Sequence, residues 1–542
     1  MTLSTFRPAS AALFLIAVAA ICALALALPG QTVTTKYLND LFIFLDGAHR
    51  VTEGQVPNRD FHTALGPLVY YAPAIGYWLS GNLGSAMPTG MALLVLTLAP
   101  VAAHILGTRL RPTIAMPLGV FLFLIAAVPI NLDESIGSLS FAMFYNRIGW
   151  SALGFLLIMY LRPEHPRRYQ TLLDAASAAL LVILMLYTKI SYGVVGIGFL
   201  LLTLLDPRKC VWATAALALV LGAGLIIEAF WGGTATYIDD LLLAASVSGN
   251  VDTVNNLATV VSRNLVDYIL FSFFAGFAIW FTRSIRDLLF FGFCAISGFL
   301  LISQNFQNWG IITLSSGAAV ATENIVRSSW PATSRRHRFL TVSAQILLFA
   351  LLLPVTIHNA AALGLHAGLA TMKQGQAVPL PRFGEIRLVE LGKENDYKLF
   401  SRYFSSLADG AQALASLNGR TGNVLVLDFV NPFSAGLGIK SPYGDSTWHH
   451  WGRTLNEEHY VSPGTLFSDV RIVMEPKWPM EVATAEGLRR IYADFLAEHF
   501  VLSGETADWR IHVLRDPPSE TVSRSPGSPP DEREDHAPPD GG

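Results

Sequence analysis

Eleven apolar runs follow one another between residues 11 and 357, and no ordinary soluble core can absorb them all. They cover 11–29, 89–107, 115–131, 147–161, 170–187, 190–205, 211–229, 264–282, 288–303, 309–323 and 339–357. A helix that crosses a bilayer needs roughly 20 mostly apolar residues. The pattern therefore predicts a polytopic α-helical membrane protein with about 11 transmembrane helices. Charged residues make up only 14% of the 542, against about 25% in a soluble domain. A net charge of -3 leaves no basic field for nucleic acid. The first run follows Arg7 and is read as a retained span rather than a cleaved signal peptide, because it is long enough to cross and others follow.

Charge in the connecting loops predicts the sidedness. Arg109 and Arg111; Arg162, Arg167 and Arg168; Arg208 and Lys209; Arg283 and Arg286; and Arg327, Arg335, Arg336 and Arg338 all fall in alternate loops. Lys and Arg accumulate on the cytoplasmic side. The expected arrangement is a multi-pass protein of the inner (plasma) membrane, with a cytoplasmic N-terminus and everything after 357 on the outer, periplasmic or extracytoplasmic, face. Residues 66–80 are apolar but short, with three Tyr and one Trp. They are read as an interfacial helix lying on the outer surface, so the first outer loop spans 30–88. The runs 170–187 and 190–205 meet at Lys189, either as two spans or as one broken helix.

Beyond 357 the texture changes. Val424–Val430, Val470–Met474 and Arg510–Leu514 read as strands bounded by Gly and Pro. Residues 398–417 and 484–499 read as amphipathic helices. The expected division is a membrane part over 1–357, a soluble α/β domain over 358–516 and a disordered, Pro- and Gly-rich tail over 517–542. Cys22, Cys210 and Cys294 lie in or beside spans, so the C-terminal part has no disulfide framework.

The first outer loop carries the densest chemistry. A helix from about Asp40 to Glu53 puts Asp40, Phe44 and Gly47 on one face, and Gly54 stops it. Asp46 lies off that face, four residues before Arg50, the spacing of a helix pair worth roughly 0.2–0.5 kcal/mol. Asn58-Arg59-Asp60-Phe61 and Gly66-Pro67-Leu68 follow. An acid, an aromatic four positions on, a small residue at seven and Gly at fourteen, followed by these two short stretches, resemble the first outer loop of GT-C fold membrane glycosyltransferases. Protein O-mannosyltransferases and aminoarabinose transferases are examples. The matched motifs cover about 70 residues here. Many of those proteins have a second acid where this chain has Leu41, and a Tyr where it has Asn58.

The resemblance implies a GT-C-like fold and transfer of a sugar from a polyprenyl-phosphate donor to a lipid, glycan or protein acceptor on the outer face, among membrane lipids. It also implies a second acidic site in the next outer loop, where Asn131-Leu132-Asp133-Glu134 precedes Tyr145-Asn146-Arg147. Asp40, Asp133 and Glu134 are the catalytic candidates. One carboxylate would take a proton from an acceptor hydroxyl; the other would orient the acceptor or help to hold a divalent cation. Arg59, Asp60, His62, Arg147 and Lys189 are the substrate-binding candidates, the cations as phosphate partners. The plain alternatives are solvated loop acids and a snorkelling lysine.

Elsewhere His104 reads as a packed, hydrogen-bonded residue and Trp448 as part of a packed loop. His449-His450 lacks metal-ligand spacing. Two other classes fit the span pattern: a transporter or flippase of lipid-linked glycan precursors, and a GT-C-like scaffold without activity.

Overall fold

The computed structural model describes residues 8–248, 253–304, 309–327, 335–391, 394–417 and 422–515. The tail 517–542 and the amide-rich stretch 305–308 lie outside them.

The chain enters through α1 (Pro8–Ala27), a short strand β1 (Thr32–Thr34), α2 (Leu38–Thr52) and α3 (Leu68–Ser80). The helices α4 (Ala86–Arg109), α5 (Pro112–Ala127), α6 (Phe144–Ile158), α7 (Gln170–Thr188), α8 (Ile190–Leu204) and α9 (Cys210–Trp231) follow. Then come α10 (Thr234–Ser248), α11 (Thr253–Arg263), α12 (Leu265–Thr282), α13 (Ile285–Ser303), α14 (Ile312–Arg327) and α15 (Arg335–Thr371). Seven helices among the described residues are long and apolar enough to cross a membrane: α1, α4, α7, α9, α12, α13 and α15. The protein is a membrane protein. The helices α5, α6, α8 and α14, of 16, 15, 15 and 16 residues, are about 22–24 Å long at 1.5 Å per residue. Both α6 and α14 are sheathed by their neighbours along almost their whole length, so they need little length of their own in contact with lipid.

Polar ties gather the helix ends into two sets. At one end, Arg327 donates to the carbonyls of Arg109 and Arg162 and pairs with Glu323 at 2.9 Å. Asp206 holds Arg286 at 3.2 Å and Lys209 at 3.4 Å there. The Arg-rich loops thus share one end of the bundle. At the same end, Asp174 binds Arg109 at 2.7 Å and His104 at 2.9 Å, so His104 is a packed, hydrogen-bonded residue.

At the other end the first loop is not a surface feature. In α2 a run of five apolar residues, Leu41–Leu45, is buried on every side. Phe42 stacks on Phe383 with ring centroids 5.1 Å apart, so α2 lies between the helical part and the C-terminal part. The helix α3 covers most of the segment 66–80. Its 13 residues reach about 20 Å, short of a span. However, α3 packs antiparallel along the start of α4: a Cβ on Gly76 would sit 2.0 Å from the Ala86 carbonyl oxygen, and one on Gly90 would sit 2.5 Å from that of Ala72. Small residues let the two backbones touch. Ile75, Trp78 and Leu79 remain exposed on the outer side of α3.

The expected boundary at 357 falls inside α15, which continues to Thr371 through Pro354. Residues 358–371 are rich in Ala and Leu, good helix formers, so the helix has no reason to stop. The C-terminal part therefore starts later than expected, with β2 (Gln376–Ala377) and β3 (Ile386–Leu388), in a small sheet of order β1-β3-β2. There β1 pairs parallel to β3, tying the chain just after α1 to the start of the C-terminal part. Next come α16 (Glu394–Ala415), β4 (Val424–Val426), α17 (Pro432–Leu437), α18 (Pro463–Leu466), β5 (Ile472–Pro476), α19 (Val482–Ile491), α20 (Ala493–His499), β6 (Phe500–Glu505) and β7 (Trp509–Leu514). A second sheet has the order β4-β5-β7-β6, with only β4 and β5 parallel. The strand β4 ends before the expected 430, because Asp428 folds the chain into a loop by accepting the backbone N–H groups of Phe429, Met480 and Glu481.

Candidate functional site

Asp40 stands in the first turn of α2, and the face it shares with Phe44 and Gly47 is the one that the helical period predicts. Phe44 meets Phe144 edge-on at 5.0 Å and Tyr145 at 6.3 Å. Gly47 lies flat against the Tyr70 ring, 2.0 Å from where a Cβ would be. Asp40, one turn earlier, therefore faces the start of α6. The helix ends at Thr52, and Gly54 follows with φ +90°, a conformation that glycine tolerates.

The loop after α2 is pinned against the join of α7 and α8. A Cβ on Gly66 would sit 2.2 Å from the Tyr187 carbonyl oxygen, and the Gly66 N–H donates to Thr188 O at 3.2 Å. At that join α7 and α8 are separate helices, because Lys189 is extended (φ -154°, ψ 115°). Its Nζ reaches Asn146 Oδ1 at 3.1 Å and lies 5.4 Å from the Tyr145 ring centre. Asn58 takes φ +60° and donates from Nδ2 to Thr63 O at 2.7 Å. Asn is among the few side chains at ease there.

The C-terminal part closes the site with Arg453. A turn holds it, its N–H donating to His450 O at 3.0 Å. Its guanidinium lies within electrostatic reach of Asp40, Tyr145, Lys189 and His450. Burial pushes the Asp40 carboxyl up to about 7, and Arg453 pulls back against that rise. Burial, with Arg453 beside it, holds His450 down to about 4, so His450 is neutral at physiological pH. The result is a carboxyl that exchanges its proton near neutrality, within reach of Tyr145 and the Arg453 guanidinium, in a site where burial also brings the Lys189 ammonium down to about 7. Such a cluster can take a proton from a hydroxyl and hold an anion at the same time.

The other expected residues divide. Glu134 does come to α2, accepting from Lys36 Nζ at 2.5 Å and Tyr37 Oη at 3.0 Å, three residues before Asp40. Asp133 lines a cavity that Glu134 also lines and to which Asp40 does not contribute. Arg147 is buried and bonded to Ala142 O at 2.9 Å and Asn131 Oδ1 at 3.2 Å; its Nε and Nη2 have no partner among the described residues. Arg59 does not enter the site. It is exposed and pairs with Asp60 at 3.2 Å, because that loop turns its tip to solvent. Asp60 caps its own loop, accepting the Val56 N–H at 2.7 Å.

His62 bonds Asp240 of α10 at 2.8 Å through Nδ1, and this hydrogen bond holds its imidazole above the usual range. No apolar run of spanning length marks α10, and nothing in the sequence singles out Asp240. Nothing local points to Arg453, and nothing ties His450 or Asp445 to Asp40: they lie about 400 residues away in the sequence.

Asp46 does pair with Arg50, at 2.7 Å, but not on a surface. Arg50 is fully buried and also binds Asp445 Oδ2 at 2.7 Å and Pro442 O at 2.6 Å. Ser441 donates to Asp46 at 3.2 Å. Burial alone would lift the Asp445 carboxyl, but Arg50 and His449 hold it below the usual range. Burial lifts that of Asp46 despite Arg50. This cluster clamps α2 to the segment that carries His450 and Arg453.

The acids do not fit a divalent cation. Among the described residues no three His, Cys, Asp or Glu side chains are placed to hold one, and Lys36 already neutralises Glu134. No protein-family model matches this chain, and no curated protein matches it.

Proposed function

We propose that this membrane protein is a glycosyltransferase of GT-C-like architecture that moves a sugar from a polyprenyl-phosphate donor to a hydroxyl of a lipid, glycan or protein acceptor. The reading includes eleven passes, a cytoplasmic N-terminus and a C-terminal part on the outer face of the inner (plasma) membrane. The observation that carries it is Asp40, whose carboxyl exchanges its proton near neutral pH within electrostatic reach of Arg453 and Tyr145. The motif match in the first loop supports it as well.

In this reading the acceptor O–H gives its proton to Asp40 while its oxygen attacks C1 of the donor sugar. The bond from C1 to the phosphate oxygen breaks, and the departing phosphate takes the electron pair. Lys189 and Arg453 stabilise the charge that grows there, in surroundings poor in water where such help is strongest. The Arg50 clamp brings Arg453 into place and makes the C-terminal part a component of the site.

The test is transfer from a polyprenyl-phosphate sugar in membranes, with Asp40→Asn at matched protein level. A general base contributes about 10²–10⁴-fold, so the variant should lose that much while inserting and folding as the parent does. Full activity in Asp40→Asn overturns the assignment. Cysteine labelling of residue 450 from the cytoplasmic side overturns the sidedness.

A further inference from the structure

Next to the turn that carries Arg453, a separate cavity opens between the first loop, α10 and the C-terminal segment 446–461. His62, Asp240, Trp448, His449, Thr454 and Tyr492 are among the residues that line it, and neither Arg453 nor Asp40 does. None of these elements is one of the seven helices long and apolar enough to cross a membrane. The volume is about 30 Å³. One water needs roughly 10–15 Å³ of such space, so two hydroxyl groups fit and a whole sugar ring does not.

The hydroxyls of the wall are already spent on the protein. Ser446 Oγ donates to Trp448 O at 2.8 Å, Thr454 Oγ1 accepts the His450 N–H at 2.9 Å, and Tyr492 Oη donates to Val461 O at 2.7 Å. Three ring nitrogens remain. His62 uses Nδ1 on Asp240 at 2.8 Å, and His449 uses Nε2 on Asp445 at 3.3 Å. Their other nitrogens, His62 Nε2 and His449 Nδ1, have no hydrogen-bond partner among the described residues. The buried indole N–H of Trp448 has none either. A carboxylate only accepts, so each imidazole donates to its Asp, and a neutral imidazole that donates from one nitrogen accepts at the other. The cavity therefore offers two acceptors and one donor. Asp240 is itself fixed, since it also accepts the Thr63 N–H at 2.9 Å.

We infer that this cavity is a subsite for one sugar of a glycan acceptor, an inference that rests on the transfer reading and narrows its acceptor class. Two neighbouring hydroxyls of that sugar donate to His62 Nε2 and His449 Nδ1, and one of their oxygens accepts the Trp448 N–H. The ring itself stays at the mouth. Hydrogen-bond complementarity selects this occupant. A serine or threonine hydroxyl brings one donor where two are wanted. A fully ionised anion brings only acceptors and would set them against two lone pairs. A site built to bind hydroxyls in this way rejects a ligand that lacks them.

The full-length chain, purified in a detergent without sugar, is titrated with the methyl glycosides of glucose, galactose and mannose, and binding is read by saturation-transfer NMR. At least one should bind at pH 8. Binding should weaken as pH falls through the His62 value, which the Asp240 hydrogen bond holds above the usual 6.5, because the imidazolium Nε2 is a donor and no longer an acceptor. Besides Asp240, the titratable groups that face His62 are Asp445, His449 and Tyr492. His62→Phe and Trp448→Phe should each weaken binding about three- to tenfold, the worth of one hydrogen bond. Where His62→Phe melts lower than the parent, Trp448→Phe, which keeps an aromatic ring, carries the comparison. Binding of no glycoside at pH 8 overturns the inference, as does binding that tightens toward pH 5 or is unchanged in both variants. Inorganic phosphate or N-acetylglutamine amide that binds more tightly than every glycoside overturns the choice of ligand. The readout needs no turnover, and Asp40→Asn should bind glycoside as the parent does. A failure here therefore leaves transfer to a lipid or protein acceptor standing, and a failure of transfer leaves glycoside binding intact.

Discussion

Arg50→Met should damage this protein more than any change at Asp46. The guanidinium is fully buried and makes three bonds of 2.6–2.7 Å, to Asp46, Asp445 and Pro442 O. Removing it leaves two carboxylates facing each other without a counter-charge in a dry site. Breaking a buried pair this way costs about 3–5 kcal/mol. Asp46→Asn is milder. The cluster holds two acids and one base, so neutralising one acid leaves Arg50 and Asp445 balanced, and the amide oxygen can still accept from Arg50; the expected loss is about 1–2 kcal/mol. Even this exceeds the roughly 0.2–0.5 kcal/mol of an exposed helix pair. For a unit of 150–250 residues, 1 kcal/mol moves the melting point by about 2–4 °C. Arg50→Met should therefore melt about 6–20 °C below the parent in detergent, with new protease cleavage in the segment 438–455. Replacing all three charged residues together by Asn, Met and Asn should recover most of the loss, because nothing charged is then stranded. A single Arg50→Met that melts within about 1 °C of the parent would refute the clamp.

Asp40→Asn should raise the melting point at pH 8, and the gain should shrink as pH falls toward 4. The folded carboxyl titrates near 7, above its ordinary value, so its charge costs stability only where the unfolded chain is ionised; transfer assayed across pH should rise with a midpoint near 7. His62→Gln should lower the melting point at pH 6 more than at pH 9. The Asp240 bond raises the imidazole above its usual value, so its stabilisation is complete below about 6.5 and is lost as pH climbs through the raised value. Lys189→Met should cut kcat/KM for a phosphate-linked donor by about ten- to a hundredfold, the worth of one hydrogen bond to a charged group, with folding intact. Gly90→Val should reduce the yield of monodisperse protein by forcing α3 off α4, an overpacking cost of about 1–3 kcal/mol, since its Cβ would meet Ala72 O at 2.5 Å; normal yield and melting would contradict the close approach.

Much of this protein is written in local sequence because the governing forces are local. Length and apolarity of a run decide whether a helix is stable in a bilayer, so α1, α4, α7, α9, α12 and α13 can be read directly. The α2 face, with Asp40 one turn before Phe44, follows from the helical period alone, and Gly54 marks its end by the backbone it allows. Spacing also sets Asp46 beside Arg50, but it says nothing of what covers a helix. Only the folded chain brings Asp445 and Pro442 to Arg50, turning a minor pair into a buried clamp. Only the folded chain brings Arg453 within reach of Asp40, puts Asp133 on a cavity that Asp40 does not line and sends Arg59 to solvent. The end of α15 at Thr371 rather than 357 is intermediate: the Ala- and Leu-rich stretch was visible, but hydropathy measures the fit to lipid and does not say where a helix stops. Burial and long-range charge depend on which distant segments meet, and for Asp40 that meeting, not its place in the sequence, brings its proton affinity to neutral pH.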